Sequence, residues 1–371
     1  MNVCSLKSRF GQTWFALLLT ITMPCGAIVS PLATPATIAQ MSTGSKADLE
    51  RLLKDARDRV QAKDYRSALD LYQKAAAIDG TNARIYSAIG YLYAQQSAFK
   101  DAITAYQKAI SINPENANFH YGLGYSLASI SRDDEAISAY QEAAKRNPAH
   151  IDALLGLGVL RSRKGDFTGA EKAYVRVLEN DKKNDAAREG LTALYIQQTR
   201  YQDALNVIQR AIKMNPNNSR AHVLLGVTLM ARSEQGPALE AFEKAGRLDS
   251  QNPGIQVQIG KILRAMGKLG EAQGAVDRAL RMAPQLADAH TVMGDIFADR
   301  KDESKAIEAY RQSLKFNSDD AYTHYRLGVA LKQKGEKKEA ASELKKARDL
   351  FREQGENEQI KVVEFALKEV E

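Results

Sequence analysis

Cysteine is nearly absent from this 371-residue chain: Cys4 and Cys25 are the only two. Two cysteines cannot build a disulfide scaffold or a four-cysteine zinc site. Tryptophan occurs once and histidine five times. Nine prolines and 24 glycines exclude collagen-like and low-complexity chains. Neither sign of charge dominates. There are 52 basic and 45 acidic residues, formally +7, mixed along the chain, and no continuous basic stripe of the kind nucleic acid needs. Hydrophobic residues make up 44%, enough for a core.

The first forty residues form a segment of their own. Lys7 and Arg9 are the only charges before residue 46, the apolar run Trp14–Met23 follows, and Pro24 closes it. Small residues then lead to Ala39. A basic start, an apolar stretch of ten and a small-residue exit read as a secretory signal peptide, with cleavage expected after Ala39. Ten apolar residues fall short of the roughly 20 that a spanning helix needs. The exit is long, however, so an uncleaved N-terminal anchor stays open beside it. Cys25 follows Pro24, a poor match to a lipoprotein signal, and reads as a small apolar leader residue. Cleavage removes both cysteines and two positive charges, leaving 50 basic against 45 acidic residues. Residues 40–48 read as a linker.

The rest repeats. Ala102-Ile-Thr-Ala-Tyr-Gln-Lys-Ala-Ile and Ala136-Ile-Ser-Ala-Tyr-Gln-Glu-Ala-Ala are offset by 34 residues. A 34-residue frame laid from Ala83 and extended both ways covers residues 49–354 as nine units without insertion or deletion. Position 20 is alanine in all nine, from Ala68 to Ala340. Position 8 is glycine in seven, with Ala56 and Thr192 as exceptions. Position 27 is alanine in seven, with Val177 and Ser313 as exceptions. Position 24 is bulky in most frames, as in Tyr72, Tyr106, Tyr140, Tyr174, Phe242 and Tyr310. Position 32 is proline in four: Pro114, Pro148, Pro216 and Pro284.

Positions 4, 7, 8 and 11 share one helical face, and so do 20, 24, 27 and 28, so each frame encodes two amphipathic helices. Small residues at 8, 20 and 27 let helices approach closely, where a larger side chain would overpack. Gly165, Gly267 and Gly335 at position 15 mark the stop of the first helix, and the proline at 32 lies beyond the second. Glu358–Val370 has apolar residues at helical spacing and reads as a capping helix within residues 355–371.

Gly at 8, Ala at 20, a large residue at 24, Ala at 27 and Pro at 32 on a 34-residue period closely resemble the tetratricopeptide repeat family. Tyr86-Ser-Ala-Ile-Gly-Tyr-Leu-Tyr and Ala306-Ile-Glu-Ala-Tyr match its motif nearly residue for residue. The first frame, with Ala56 and Gly80 in place of Gly and Pro, departs as a terminal repeat does. The resemblance implies an all-α fold, a right-handed superhelical solenoid of helix-turn-helix units with a concave groove, built as one elongated stack. It also implies which positions line that groove: 2, 5, 6, 9, 12 and 13 of the first helix. N-terminal frames place Tyr91, Gln95, Asn118, Tyr121 and Tyr125 there. Middle frames place Leu155, Val159, Val223, Val227 and Met230 there. C-terminal frames place Lys261, Arg264, Asp288, Asp295, Asp299, Arg326 and Lys332 there. The expected groove thus runs from tyrosine-rich through apolar to charged. Tyr91 and Tyr125 recur at position 9 of adjacent first helices, whereas Tyr121 at position 5 fits a packing role equally well.

Some family members clamp a partner's C-terminal carboxylate with Lys at 5, Asn at 6 and 9, and basic residues at 2 and 6 of three consecutive repeats. No three consecutive frames here carry that set. His120, His222, His290 and His324 all fall at position 4, a packing position one full repeat apart, and read as structural rather than as metal ligands. His150 stands alone at a repeat junction. No phosphate loop, dinucleotide fingerprint, zinc-protease helix or nucleophile elbow is present, so no catalytic residue, cofactor or metal is expected.

The expected function is a non-catalytic scaffold that binds a protein or peptide partner in the groove, with no nucleic acid and with membrane contact only through an uncleaved anchor. The Pro/Ala/Thr-rich leader exit resembles those of cyanobacterial exported proteins, which suggests an assembly factor of the periplasm or thylakoid lumen. Two alternatives stay open. One is a membrane-anchored cytoplasmic organiser. The other is an envelope-polysaccharide-related enzyme built on Lys261, Asp295, Asp299 and Arg326.

Overall fold

The computed structural model describes residues 43–370, and the leader lies outside them. Among the described residues there are 19 α-helices and no strand. The chain divides between Arg200 and Tyr201 into two compact units.

Unit 1 holds nine helices. They are α1 (Thr43–Gln61), α2 (Tyr65–Ile78), α3 (Ala83–Gln95), α4 (Phe99–Ile112), α5 (Ala117–Ser129), α6 (Asp133–Arg146), α7 (Ile151–Arg163), α8 (Phe167–Asn180) and α9 (Asp185–Gln197). Unit 2 holds ten. They are α10 (Tyr201–Met214), α11 (Ser219–Ala231), α12 (Gln235–Leu248), α13 (Pro253–Ala265), α14 (Leu269–Met282), α15 (Ala287–Asp299), α16 (Glu303–Phe316), α17 (Ala321–Lys334), α18 (Lys337–Glu353) and α19 (Asn357–Lys368). From α3 onward the first helix of every frame begins at position 1, and all nine second helices begin at position 17. Within each unit, successive helix pairs pack side by side as a solenoid does, each covering the apolar face its neighbour cannot bury alone. Residues 43–48, expected as linker, belong to α1.

Local chemistry sets these boundaries. Position 34 precedes each first helix, and there Asn82, Asn116, Asn184, Asn218, Asn252 and Asp320 each accept a hydrogen bond from a backbone N–H of the opening turn. Position 15 ends the first helix in the left-handed region in all nine frames. Gly165, Gly267 and Gly335 suit that backbone, but Lys63, Ser97, Ser131, Thr199, Ser233 and Lys301 adopt it as well, with φ between 58° and 66°. The glycines marked the turn in the sequence; the other six positions gave no such mark.

The core follows the invariants. All nine position-20 alanines are fully buried. Bare Cα atoms at position 8 receive the ring at position 24: a Cβ on Gly124 would lie 2.6 Å from Tyr140 Cδ1, and one on Gly294 2.5 Å from Tyr310 Cε1. The apolar faces of α18 and α19 meet through Leu344, Ala347, Phe351, Val363, Ala366 and Leu367, so α19 caps the last repeat.

Candidate functional site: the first-helix faces

In unit 1 the sequence places glycine at position 6 as well as position 8 in consecutive repeats. Three of the four position-24 tyrosines of unit 1 are thereby slotted between two first helices. Tyr106 fits against Gly90 and Gly122, Tyr140 against Gly124 and Gly156, and Tyr174 against Gly158 and Gly190; a Cβ on Gly122 would sit 2.3 Å from Tyr106 Cζ. Passing through these slots, the rings reach the tyrosines that the sequence assigned to the groove.

Tyr121 is half-buried, its ring 5.9 Å from that of Tyr140 and 4.9 Å from the His150 imidazole. Tyr125 is half-buried with its ring edge-on to Phe99 at 6.3 Å, and Tyr91 is half-buried on the preceding first helix. Burial pushes the Tyr106 hydroxyl far up, reinforced by the neighbouring phenols of Tyr121, Tyr91 and Tyr125. Burial also raises Tyr121, with Asp152 and Tyr125 adding to it, and Tyr140, with Tyr121, Tyr125 and Asp152 adding to it. These phenols therefore stay protonated at neutral pH.

His150, which carried no message in the sequence, belongs to this cluster. It takes the place of the usual asparagine at position 34 and caps α7, its Nδ1 accepting from the Ala153 N–H at 3.3 Å. Its Nε2–H donates to Asn118 Oδ1 at 3.1 Å, which fixes the neutral tautomer and orients the exposed Asn118 amide. Burial lowers the His150 pKa against the pull of Asp152. The position-34 pattern was the signal that could have found it.

Unit 2 has a different face. Lys261 Nζ lies 2.7 Å from Asp288. Arg264 contacts Asp299 at 2.6 Å and Asp295 at 2.8 Å, and Arg326 contacts Asp295 at 2.7 Å. The Tyr310 hydroxyl donates to Asp295 at 2.8 Å, and the Tyr322 hydroxyl lies 3.4 Å from its other oxygen. Asp295, on α15, thus joins Arg264 of α13 to Arg326 of α17. Burial opposes the charge on both arginines, but the Asp295 carboxylate together with Asp299 and Tyr322 at Arg264, and with Tyr322 and Tyr310 at Arg326, outweighs it and both pKa values rise. Lys332 pairs with Glu369 at 2.6 Å.

The sequence treated Asp295 and Val227 as groove-lining groups, and the structure places both beneath the face. Asp295 is 3% exposed because two guanidinium groups and a phenol enclose it, and Val227 is 5% exposed within the apolar core of unit 2. A carboxylate has about four lone-pair sites, and at least four donors already meet that of Asp295. It ties repeats together and has no lone pair left for proton transfer, so the cluster gives no support to an enzymatic reading.

The position-4 histidines have one common task. His120, His222 and His290 donate from Nε2 to the carbonyls of Pro114, Pro216 and Pro284 at 2.8, 3.0 and 2.8 Å, and His324 does so to Ser318 at 2.8 Å. Each acceptor is the position-32 residue of the preceding repeat, so these histidines tie the inter-repeat loop to the next first helix. Among the described residues, no group of three or more His, Cys, Asp or Glu side chains is arranged to hold a metal. No helix among them is long and apolar enough to cross a membrane.

The stacked hairpins, most of them opened by a side-chain-capped first helix and all closed over a buried alanine, define an α-helical repeat protein. The chain belongs to the tetratricopeptide repeat family. Family models described as TPR repeat match residues 90–131 and 294–335, and others described as tetratricopeptide repeat match 121–187, 194–253 and 321–353. Together they span more than half of the chain. A solved tetratricopeptide repeat protein from Parabacteroides merdae is similar with a TM-score of 0.51 at 16% identity, over 77% of this chain and 99% of that one. At that identity the likeness shows the fold alone. The APC/C hetero-tetramer Cut9-Hcn1 aligns with a TM-score of 0.49 at 17% identity, over 76% of this chain and 55% of that one. Among curated proteins, the photosystem I assembly protein Ycf3 of Acaryochloris marina (strain MBIC 11017) is 44% identical over 59 residues. That stretch is 16% of this chain and 36% of that protein, so the chain spans about a third of the length of the relative it matches.

Proposed function

We propose that this protein is a non-catalytic scaffold that holds a partner protein during assembly, and that it takes an extended or helical segment of that partner on the tyrosine face of unit 1. The carrying observation is the cluster of Tyr91, Tyr121 and Tyr125 over Tyr106 and Tyr140. Its half-buried rings offer apolar area at low entropic cost, and the Tyr121 hydroxyl, which burial keeps protonated, can donate to a peptide backbone. The charged face of unit 2 is neutralised within itself and so attracts a charged partner less. The short likeness to a protein named for photosystem I assembly supports the assembly role.

Export to the periplasm or thylakoid lumen rests on the leader, as does the membrane-anchored alternative. Mass spectrometry of the mature N-terminus separates them: a start at Gln40 supports export, and a retained Met1 or Asn2 supports the anchor. The binding reading is tested by affinity capture from the native source. Tyr91→Ala with Tyr125→Ala should lose the captured partner while circular dichroism stays helical. Equal recovery by the folded double variant would count against this face.

A further inference from the structure

The last repeat breaks a rule that the other eight keep. Position 23, on the second helix, is alanine in six of them and Leu71 or Val207 in the other two, but in the ninth it is Glu343. That carboxylate is 9% exposed and faces His324 of α17. His324 Nδ1 lies 2.6 Å from Glu343 Oε2, and Nε2 lies 2.8 Å from the Ser318 carbonyl. Both partners are acceptors only. A neutral imidazole has one N–H, so the two contacts together require the imidazolium. His120, His222 and His290 each hydrogen-bond a carbonyl through Nε2, and position 23 of their repeats is Ala139, Ala241 and Ala309, which places no carboxylate opposite Nδ1.

We propose that His324 and Glu343 form a proton-operated latch that clamps α17 to α18, tight while His324 is protonated and loosened when that proton leaves.

The surroundings suit a latch. Lys346, one turn along α18, lies 3.0 Å from the other oxygen of Glu343. Glu339 of α18 and Arg311 of α16 line the same cleft and pair with each other at 2.6 Å. Asp320, on the preceding loop, is engaged by the Thr323 hydroxyl and the Tyr322 N–H. Burial works against the charge on His324, but the Glu343 carboxylate and the Ser318 carbonyl outweigh it, and its pKa stands above the ordinary 6.5 despite Lys346. The hydrogen bond from His324, aided by Lys346, holds Glu343 below its ordinary 4.5 against burial.

The sign follows. The His324 contribution is complete below pH 6.5 and is lost as pH rises through the elevated folded value. The Glu343 contribution is complete above 4.5 and is lost as pH falls through the depressed folded value. The last repeat is therefore firmest in mildly acidic solution. Above that range the neutral imidazole can satisfy only one of its two acceptors, the buried Glu343 carboxylate or the Ser318 carbonyl. Leu344, the next residue after Glu343, packs in the cluster that also holds α19, so loosening reaches the capping helix.

Hydrogen–deuterium exchange on the full chain tests this, with intrinsic rates corrected for pH. Between pH 6.5 and the folded pKa of His324, the opening equilibrium of residues 321–370 should rise by up to about tenfold per pH unit. Glu343→Ala places in the last repeat the residue that six others carry. It should fold, abolish that rise and return the His324 pKa, read by NMR, to 6.5 or below. His324→Gln should exchange at pH 6 as the wild type does at pH 8.5. A flat wild-type profile from pH 6 to 8.5, or the same rise in Glu343→Ala, would overturn the latch.

Discussion

In unit 1 the position-24 rings of Tyr106, Tyr140 and Tyr174 pass between paired glycines at positions 6 and 8, and Tyr106 and Tyr140 meet other tyrosines on the first-helix face. In unit 2 position 6 is Leu224, Gln258, Val292 or Arg326, which removes the second glycine of the slot, and position 9 carries Lys261 and Asp295 within an ion-pair ladder. The frame, the helix starts and the buried alanines are common to both. A handful of first-helix positions, 2, 5, 6, 9, 12 and 13, therefore decide whether a face presents phenols or charges that consume one another. A repeat family can hold its fold through positions 8, 20 and 27 while those positions rewrite the surface.

The largest expected effect falls on unit 2. Asp295→Ala leaves Arg264 and Arg326 without their shared carboxylate and should cost about 3–5 kcal/mol, the range for breaking a buried pair. Denaturant titration measures it. A loss near zero would mean that the ladder is surface decoration and that the contrast with unit 1 is cosmetic.

Next comes the slot in unit 1. Gly122→Val puts carbon where Tyr106 Cζ stands 2.3 Å from the ideal Cβ, and should cost about 1–3 kcal/mol through overpacking. Val292→Ala at the same repeat position in unit 2 meets no such ring and should act as an ordinary core truncation. Thermal melts of the two variants compare them, and an unchanged melting temperature for Gly122→Val would remove the slot.

The smallest effect is one of pH, and its sign opposes that of His324. Burial keeps His150 neutral, so its stabilising role is complete above pH 6.5 and is lost as pH falls through the depressed folded value. Protonating Nδ1 also removes the acceptor that caps α7. Acidification below 6.5 should weaken unit 1 by at most about 1.4 kcal/mol per pH unit. His150→Asn, which restores the usual cap, should abolish that loss in a pH series of melting curves.

Much of the fold was legible because its determinants are steric and periodic. Ala136 at position 20 and Gly124 at position 8 announce close helix approach wherever they recur. The αL turn at Ser97 or Lys301 was hidden because the backbone imposes it on side chains with no glycine signature. Of the face, the tyrosines were legible by repeat position. The burial of Asp295 was not, because Arg264 and Arg326 lie 31 residues away on either side and meet it only when three first helices stack. His150 was missed for the opposite reason: its capping role is local, but histidine seldom fills it.

If the proposed role is right, the tyrosine face of unit 1 receives the partner. A photo-crosslinking phenylalanine analogue at Tyr125, compared with the same group at exposed Lys145 on α6, tests it most directly in the native source. Position 125 should give a covalent adduct of the captured partner and position 145 none. Adducts from 145 alone, or equally from both, would contradict it.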